Sequence, residues 1–306
     1  MSIYTINTVK LIAAFCLGFA LNAGATLIIS SRTGQDFDLY RIEENSSIRI
    51  NLTKTPEIDE LEPSISPDGT KILFSARIRA DISYADPRCF ICLMNVDGSG
   101  LQRLTTPANH SFSASFSPDG QSVAFATNLG SDKLDEFAVQ IMNSDGIEKT
   151  RISEYSPATP RPVFSKDGQR VLFDFLTRKL PAPRYDICST DLQGGDLKIL
   201  TCNLPDNYGL LSQPALSPDG TKLIFIRENY SAGEACSIVQ LSFSDKKCLE
   251  LHSSINVMAW PSYSRDGRSI VFESSGRTFI LSSEGGKPRM IESDSYDINP
   301  AWRNGK

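Results

Sequence analysis

The sequence predicts an all-β protein, a six-bladed β-propeller with four short strands in each blade. Three observations predict this fold. A short motif recurs five times, its copies are almost evenly spaced, and the two ends of the chain carry complementary parts of one further unit. Because no stretch carries apolar residues at the helical period of about 3.6 residues, we expect few helices.

The recurring motif has seven residues and ends in Ser-x-Asp-Gly. Its copies occupy residues 63–69, 114–120, 162–168, 214–220 and 261–267, and their glycines are 51, 48, 52 and 47 residues apart. Five positions after each glycine stands a phenylalanine, and two positions before that phenylalanine stands a branched apolar residue. A period of this length is typical of repeat architectures, and four short strands fill it.

The motif itself predicts a β-hairpin. The apolar residue four positions before each glycine belongs to one strand, and the alternating apolar pair after the glycine belongs to the next. The turn between them uses the glycine for a positive φ, and a type I turn accepts Lys166 or Arg265 where the other copies have proline. The motif aspartates are therefore interpreted as turn formers: Asp68, Asp119, Asp167, Asp219 and Asp266.

The two ends of the chain complete the count of blades. Residues 26–32 align with residues 71–77, so that Leu27 and Ile29 take the places of Ile72 and Phe74. This N-terminal unit lacks its first strand, whereas residues 299–303 resemble the start of a repeat that then stops. We therefore expect the two termini to share a sixth blade, which closes the ring and removes its open edges. Residues 26–306 are predicted to form one domain.

Residues 1–25 are expected to be a cleaved signal peptide. An apolar run at residues 11–21 follows Lys10, and Ala23, Gly24 and Ala25 supply the small residues that signal peptidases recognise. The run is too short to cross a bilayer, which needs about 20 apolar residues. The expected location is periplasmic or secreted, with no transmembrane segment after cleavage.

Six of the seven cysteines lie after residue 25, and an even number in an exported chain favours disulfides. Sequence alone does not choose among the pairings, although proximity favours Cys188 with Cys202 and Cys236 with Cys248. Cys89 and Cys92 have the spacing of a redox or zinc motif, but no second such pair follows. A structural disulfide or two free thiols is the preferred interpretation of this pair.

Composition excludes some functions. The net charge is −5 and no basic run occurs, which argues against nucleic-acid binding. The chain has two histidines, no Gly-x-Ser-x-Gly elbow and no His-Glu-x-x-His motif, so no catalytic residues are predicted. No cofactor is expected. The acidic segments at residues 57–62 and 292–297 leave a divalent cation as an alternative, although a solvated acidic face is the preferred interpretation.

The binding candidates come from the connections that lead from the last strand of one blade to the first strand of the next. These connections are expected to meet at one mouth of the central channel, where loops on a rigid scaffold place binding groups. Trp260 and Tyr208 are the expected interface anchors because of their residue type. The candidate residues are Glu60, Glu62, His110, Arg161, Asp206, Asn207, Tyr208, His252, Trp260 and Asp297.

With its Pro-x-aromatic-Ser-Pro-Asp-Gly units, the chain resembles the TolB propeller family of periplasmic proteins over roughly residues 26–303. The resemblance implies a protein-binding module of the cell envelope, with a peptidoglycan-associated lipoprotein among the candidate partners. The N-terminal α/β domain of TolB has no counterpart here. A monomer is expected. The alternatives are a carbohydrate-active or metal-dependent enzyme with its site in the channel, and a passive structural domain of a larger assembly.

Overall fold

The computed structural model describes residues 26–43, 48–79, 89–131, 133, 135–178, 183–201, 204–205, 209–228 and 236–303. These residues form six four-stranded antiparallel sheets and no α-helix. The first strand of each sheet contacts the first strands of both neighbouring sheets, so the sheets close into a ring around an axis. The predicted six-bladed propeller is confirmed.

The first blade combines β1 (Thr26–Arg32), β2 (Asp38–Glu43) and β3 (Arg49–Asn51) with the last strand, β24 (Tyr296–Arg303). The second and third blades are β4 (Ile58–Ile65), β5 (Lys71–Ile78), β6 (Cys89–Asn95) and β7 (Gln102–Arg103), then β8 (Ser111–Phe116), β9 (Ser122–Thr127), β10 (Ala138–Asn143) and β11 (Thr150–Arg151). The fourth is β12 (Val163–Phe164), β13 (Arg170–Arg178), β14 (Arg184–Asp191) and β15 (Lys198–Ile199). The fifth and sixth are β16 (Leu210–Leu216), β17 (Lys222–Glu228), β18 (Cys236–Ser242) and β19 (Cys248–Ser254), then β20 (Met258–Tyr263), β21 (Ser269–Ser274), β22 (Arg277–Ser282) and β23 (Arg289–Met290).

The two chain ends share the first blade, as predicted. β24 pairs antiparallel with β1, with Leu27 opposite Trp302 and Thr26 opposite Arg303. Trp302 is 7% exposed, and its Nε1 donates a hydrogen bond of 3.1 Å to the carbonyl oxygen of Ser262 in the sixth blade. The last strand, β24, therefore binds both β1 and the sixth blade.

Each Ser-x-Asp-Gly turn is held by its own side chains. In the first copy Ser66 Oγ donates to Asp68 Oδ1 over 2.6 Å, and Gly69 N donates to the Ser66 carbonyl over 2.8 Å. Gly69 has a φ of 74°, the region that glycine adopts without steric cost. The bond from Ser66 Oγ, together with bonds from Thr70 N and Thr70 Oγ1, lowers the pKa of the Asp68 carboxyl to about 2. The same serine–aspartate bond recurs in the four other copies, so the aspartates are turn formers.

The core lies between blades and is built largely from the second strand of each blade. The five repeated phenylalanines and their apolar partners two residues earlier are at most 2% exposed. Their side chains meet residues of the adjacent blade, so each sheet is covered on both faces. The buried phenylalanines are Phe74, Phe125, Phe173, Phe225 and Phe272.

The cysteine prediction needs correction. Cys236 and Cys248 are both free, because the register of β18 and β19 places Cys236 opposite Ser254 and Cys248 opposite Leu241, at opposite ends of the hairpin. Cys188 is free, and Cys202 lies outside the described residues. Cys89 and Cys92 are also free thiols, which is one of the two predicted alternatives. They join different core clusters, and burial raises the pKa of both to about 12.

The closure of the ring gives a stability prediction. Changing Trp302 to Ala removes a buried indole and its bond to the sixth blade, so we expect the free energy of unfolding to fall by about 3–5 kcal/mol. Urea titration followed by fluorescence or circular dichroism measures it. Ile255→Ala is the control, because Ile255 is 75% exposed and its loss is expected to cost no more than about 0.5 kcal/mol. Equal midpoints for the two variants would contradict a closure held by Trp302.

Candidate functional site

The first strands of the blades surround the propeller axis, and nearly all of them carry a β-bulge at the same position of the repeat. The pairing register shifts there in five blades, between Leu61 and Ser64 in the second blade for example. A bulge leaves one residue unpaired and re-aims its side chain. In these five blades that residue has a positive φ of 51–57°: Glu62, Ser113, Gln213, Trp260 and Asn299.

Arg161 takes the corresponding position in the fourth blade, so six side chains form one ring, which we call the axial ring. All six line a cavity of about 320 Å³ on the axis, together with the residues that follow them. Proline follows five of the six, with Ala114 after Ser113 as the exception. Because proline has no N–H to donate, it fits a position where the ladder is already interrupted. The positive φ of non-glycine residues is costly and is typical of functional sites.

One side of the axial ring is charged. Glu62 Oε1 lies 3.3 Å from Arg161 Nη1, and both side chains are about four-fifths buried. Glu62 also accepts hydrogen bonds from Ser113 N over 2.8 Å, from Ser113 Oγ over 3.1 Å and from Ser75 Oγ over 2.9 Å. Three blades therefore meet at the Glu62 carboxylate, which fixes the Arg161 guanidinium inside the channel.

The other side of the axial ring carries an indole and two amides. The Arg161 guanidinium lies over the Trp260 ring, 4.9 Å from its centroid, and Trp260 N donates to Gln213 Oε1 over 2.6 Å. Within the described residues, two buried polar atoms of the ring have no hydrogen-bond partner: Trp260 Nε1, a donor, and Asn299 Oδ1, an acceptor. Asn299 is 3% exposed. A buried polar atom without a partner is costly, so this side of the channel is suited to a ligand that supplies both.

A buried carboxyl supports the ring from behind. Asp174 on β13 is 4% exposed and accepts a hydrogen bond of 3.1 Å from Arg161 N. Burial raises the pKa of Asp174 to about 6, although its hydrogen bonds and the Arg161 charge act in the opposite direction. Asp174 thus orients the backbone of Arg161 rather than reaching into the channel, because it does not line the cavity.

The structure brings three of the ten candidate residues together in the channel: Glu62, Arg161 and Trp260. Asp206, Asn207 and Tyr208 lie outside the described residues. The other four do not line the axial cavity. Glu60 lines a different cavity between two blades, and Asp297 is fully buried in an ion pair with Arg49. His110 packs edge-on against Phe112 and Phe137, and His252 lies on an outermost strand against Phe272.

Sequence reasoning missed three members of the axial ring, namely Ser113, Gln213 and Asn299. Their signal is present in the repeat. Glu62, Ser113, Arg161, Gln213 and Trp260 all stand seven residues before the motif glycine, and Asn299 precedes the proline of the last, incomplete copy. The repeat therefore identifies the ring position, but the ring becomes apparent only when the bulge at that position is known.

Two further observations concern metal binding and membrane spanning. In the part of the chain that the structure describes, no three His, Cys, Asp or Glu side chains come together as ligands for a metal ion. The described strands and loops also contain no helix with the length and apolar character needed to cross a membrane.

Solved structures of other proteins have the same propeller architecture as this chain. The solved structures that superpose on this chain include TolB from Acinetobacter baumannii, which covers 91% of this chain and 66% of its own length with a TM-score of 0.71 and 18% identity. A putative TolB from Agrobacterium tumefaciens superposes on 91% of this chain and 97% of its own, with a TM-score of 0.64 and 16% identity. The fold is that of the TolB propellers. At these identities the likeness concerns the fold alone.

One sequence relative is a much longer protein than this chain. Over 206 residues the chain is 26% identical to the uncharacterized peptidase YuxL of Bacillus subtilis (strain 168). The match covers 64% of this chain but 27% of YuxL, so the chain spans about a quarter of that relative. No protein-family model matches the chain.

The buried carboxyl behind the ring gives a pH prediction. Because Asp174 holds its proton more tightly in the folded state than in the unfolded one, it lowers stability as pH rises from about 4 to about 6. Asp174→Asn keeps an acceptor oxygen and removes the titration. We expect the free energy of unfolding of the variant, relative to that of the wild type, to rise by about 3 kcal/mol between pH 4 and pH 7.

Urea unfolding of both proteins at pH 4, 5, 6 and 7 measures this gain. The exposed Asp294→Asn is the matched control for the loss of one carboxylate elsewhere on the protein. A constant difference for Asp174→Asn would show that Asp174 does not change its protonation in this range.

Proposed function

We propose that the chain is an exported, non-catalytic protein-binding module of the cell envelope, and that the axial channel is its binding face. The observation that carries this proposal is the Arg161 guanidinium stacked on the Trp260 ring inside the channel. Arginine and tryptophan are the residue types most enriched at the centres of protein interfaces. Here Glu62 and Gln213 hold both in place before any partner arrives, which lowers the entropic cost of binding.

The polar atoms of the channel favour a peptide as the occupant. Trp260 Nε1 offers a hydrogen-bond donor and Asn299 Oδ1 offers an acceptor, and both lack partners among the described residues. A peptide group carries the complementary carbonyl oxygen and N–H on adjacent atoms. A loop or chain end of a partner protein that enters the channel would therefore satisfy both atoms and pack against the indole.

The envelope location and the partner rest on other grounds. Export follows from the signal-peptide pattern of residues 1–25, which lie outside the described residues. The likeness to the TolB propellers supports an envelope partner, and the first candidate proposed is a peptidoglycan-associated lipoprotein. N-terminal sequencing of the protein recovered from the periplasm tests the export step, and a mature chain that begins at Thr26 is the expected result.

A partner that enters the channel is expected to depend on the indole. Full-length chain with a C-terminal tag, expressed in its own organism, is used to capture envelope proteins, and the affinity of the captured partner is then measured with purified protein. Trp260→Asn removes the indole but keeps a residue that tolerates positive φ, as Asn299 does at the equivalent position. We expect the dissociation constant of the partner to rise about 30-fold or more.

Leu249→Ala is the matched control, because Leu249 is exposed on the outermost strand of the fifth blade, away from the channel. It should leave the affinity unchanged. A partner held equally well by Trp260→Asn would place the binding face elsewhere on the propeller. Failure of the full-length chain to retain any envelope protein would overturn the binding-module proposal.

An enzyme remains the alternative, supported by the 206-residue match to a protein named as a peptidase and by the Glu62 carboxylate in the channel. As an enzyme, the chain would use Glu62 as an acid–base group or as a ligand for a divalent cation. Calorimetry with Mn²⁺ and Ca²⁺ and turnover assays on peptide and glycan libraries discriminate the two. Turnover that Glu62→Gln abolishes would favour the enzyme, whereas the binding module is expected to show none.

A further inference from the structure

A second cavity lies off the axis, between the first and second blades, and has a volume of about 410 Å³. Its walls include Phe90 and Met94 of β6 and Ala76 of β5, and Leu101 lies at its rim. Its lining includes one carboxylate, that of Glu60 on β4, which is 2% exposed. A mostly apolar pocket of this size with a few convergent polar groups is typical of a small-molecule site.

The carboxylate of Glu60 has hydroxyl partners but no cation. Thr53 Oγ1 donates to Glu60 Oε2 over 2.9 Å, and Thr55 Oγ1 donates to Glu60 Oε1. Within the described residues Glu60 forms no ion pair. A buried carboxylate without a counter-charge is costly in its ionised form.

The first blade shows how the fold satisfies a carboxylate at this place. Asp297 stands two residues before the axial-ring residue Asn299, just as Glu60 stands two residues before Glu62. The Arg49 guanidinium binds Asp297 through both nitrogens, with distances of 2.7 Å and 3.1 Å, and also donates to Ser31 Oγ over 3.0 Å. The first blade therefore neutralises its buried carboxylate with an arginine from its own outer strand.

The second blade has a leucine in place of that arginine. Arg49 pairs with Ile42 in the first blade, and the equivalent place in the second blade, beside Met94, belongs to Leu101. Leu27 of the first blade is equivalent to Ile72 of the second, so Ser31 is equivalent to Ala76. The cavity thus occupies the space over Ala76 and Glu60 that corresponds to the space the Arg49 side chain fills in the first blade.

We propose that this cavity binds a small organic cation, a guanidinium or ammonium group on a short apolar stem, whose charge pairs with Glu60 and whose stem packs against Phe90 and Met94. The proposal is independent of the axial-channel function, because the two cavities share no lining residue. The bound cation would supply to Glu60 the positive charge that Arg49 supplies to Asp297 in the first blade.

The acidic groups near Glu60 favour a cationic occupant, and the Arg103 guanidinium in the cavity lining opposes it. Burial, with smaller contributions from the Asp38 and Asp36 charges, raises the pKa of Glu60 to about 8, although the two threonine hydroxyls act in the opposite direction. On the opposite wall Cys92 is a neutral thiol, and at the rim the Arg103 guanidinium lies over the Phe90 ring, 4.6 Å from its centroid. A bound cation requires the carboxylate form, so its affinity should rise about tenfold per pH unit up to about pH 8 and then level off.

The test uses the full-length chain and n-butylguanidinium, with the neutral n-butylurea as its isostere, in calorimetric titrations at pH 6, 7, 8 and 9. We expect saturable binding of the cation at pH 8, binding of the urea at least tenfold weaker, and proton release below pH 8. Glu60→Gln keeps one acceptor oxygen for a threonine hydroxyl and presents an N–H donor to the other, and it should lose the preference for the cation.

Two further variants test the pocket with Glu60 intact. Leu101→Arg, at a 59% exposed position, places the arginine of the first blade in the second and should abolish binding of the added cation. Ala76→Phe should block the pocket, and the fold accepts the larger side chain because Phe175 occupies the equivalent position in the fourth blade. The exposed Glu292→Gln is the carboxylate control and should change nothing.

Melting temperatures establish that each variant is folded. The proposal is overturned if n-butylguanidinium does not bind saturably at pH 8. It is also overturned if Glu60→Gln and Leu101→Arg, both folded, bind the cation as the wild type does. An affinity that falls as pH rises would overturn it too, because Glu60 would then act as a protonated donor.

Discussion

The pairing of β24 with β1 is the contact on which the rest of the propeller depends. Each blade packs against its two neighbours, and the first blade exists only because the two chain ends, more than 260 residues apart in sequence, lie side by side. Without that pairing the ring would have exposed strand edges and an incomplete blade. The axial ring and the off-axis cavity follow from closure as well, because the first blade supplies Asn299 to one and borders the other.

The fold was predictable because its determinants are local and repeated. The Ser-x-Asp-Gly turn carries its own hydrogen bonds, and the phenylalanine five positions later is buried in every complete copy. The site was less predictable because its residues are aimed by a bulge. The positive φ at Glu62 and Trp260 turns these side chains to the axis, whereas neighbouring Glu60, two positions away, faces the space between blades. The predicted disulfide between Cys236 and Cys248 was wrong because proximity in sequence does not reveal that the two residues lie at opposite ends of one hairpin.

Buried carboxyls show how the same repeat position acquires different roles. In the first blade Asp297 is neutralised by Arg49, whereas in the second blade Glu60 faces a cavity, and the third blade has Ser111 at that position, hydrogen-bonded to Thr127. The first strand carries the β-bulge in each of these three blades. What changes is one side chain on the outer strand and one on the inner strand, so a propeller can gain or lose a pocket between blades without any change in its ring.

The six positions of the axial ring are equivalent in the repeat but not in chemistry, and five of them share the β-bulge. Glu62, Ser113 and Arg161 form a charged, hydrogen-bonded arc, and Gln213, Trp260 and Asn299 form an arc of amides and an indole. Six blades thus surround the channel, but the side chains that line it have no rotational symmetry. A partner that enters it would be accepted in a single rotational setting about the axis, and a nearly symmetric scaffold would thereby fix the orientation of whatever it holds.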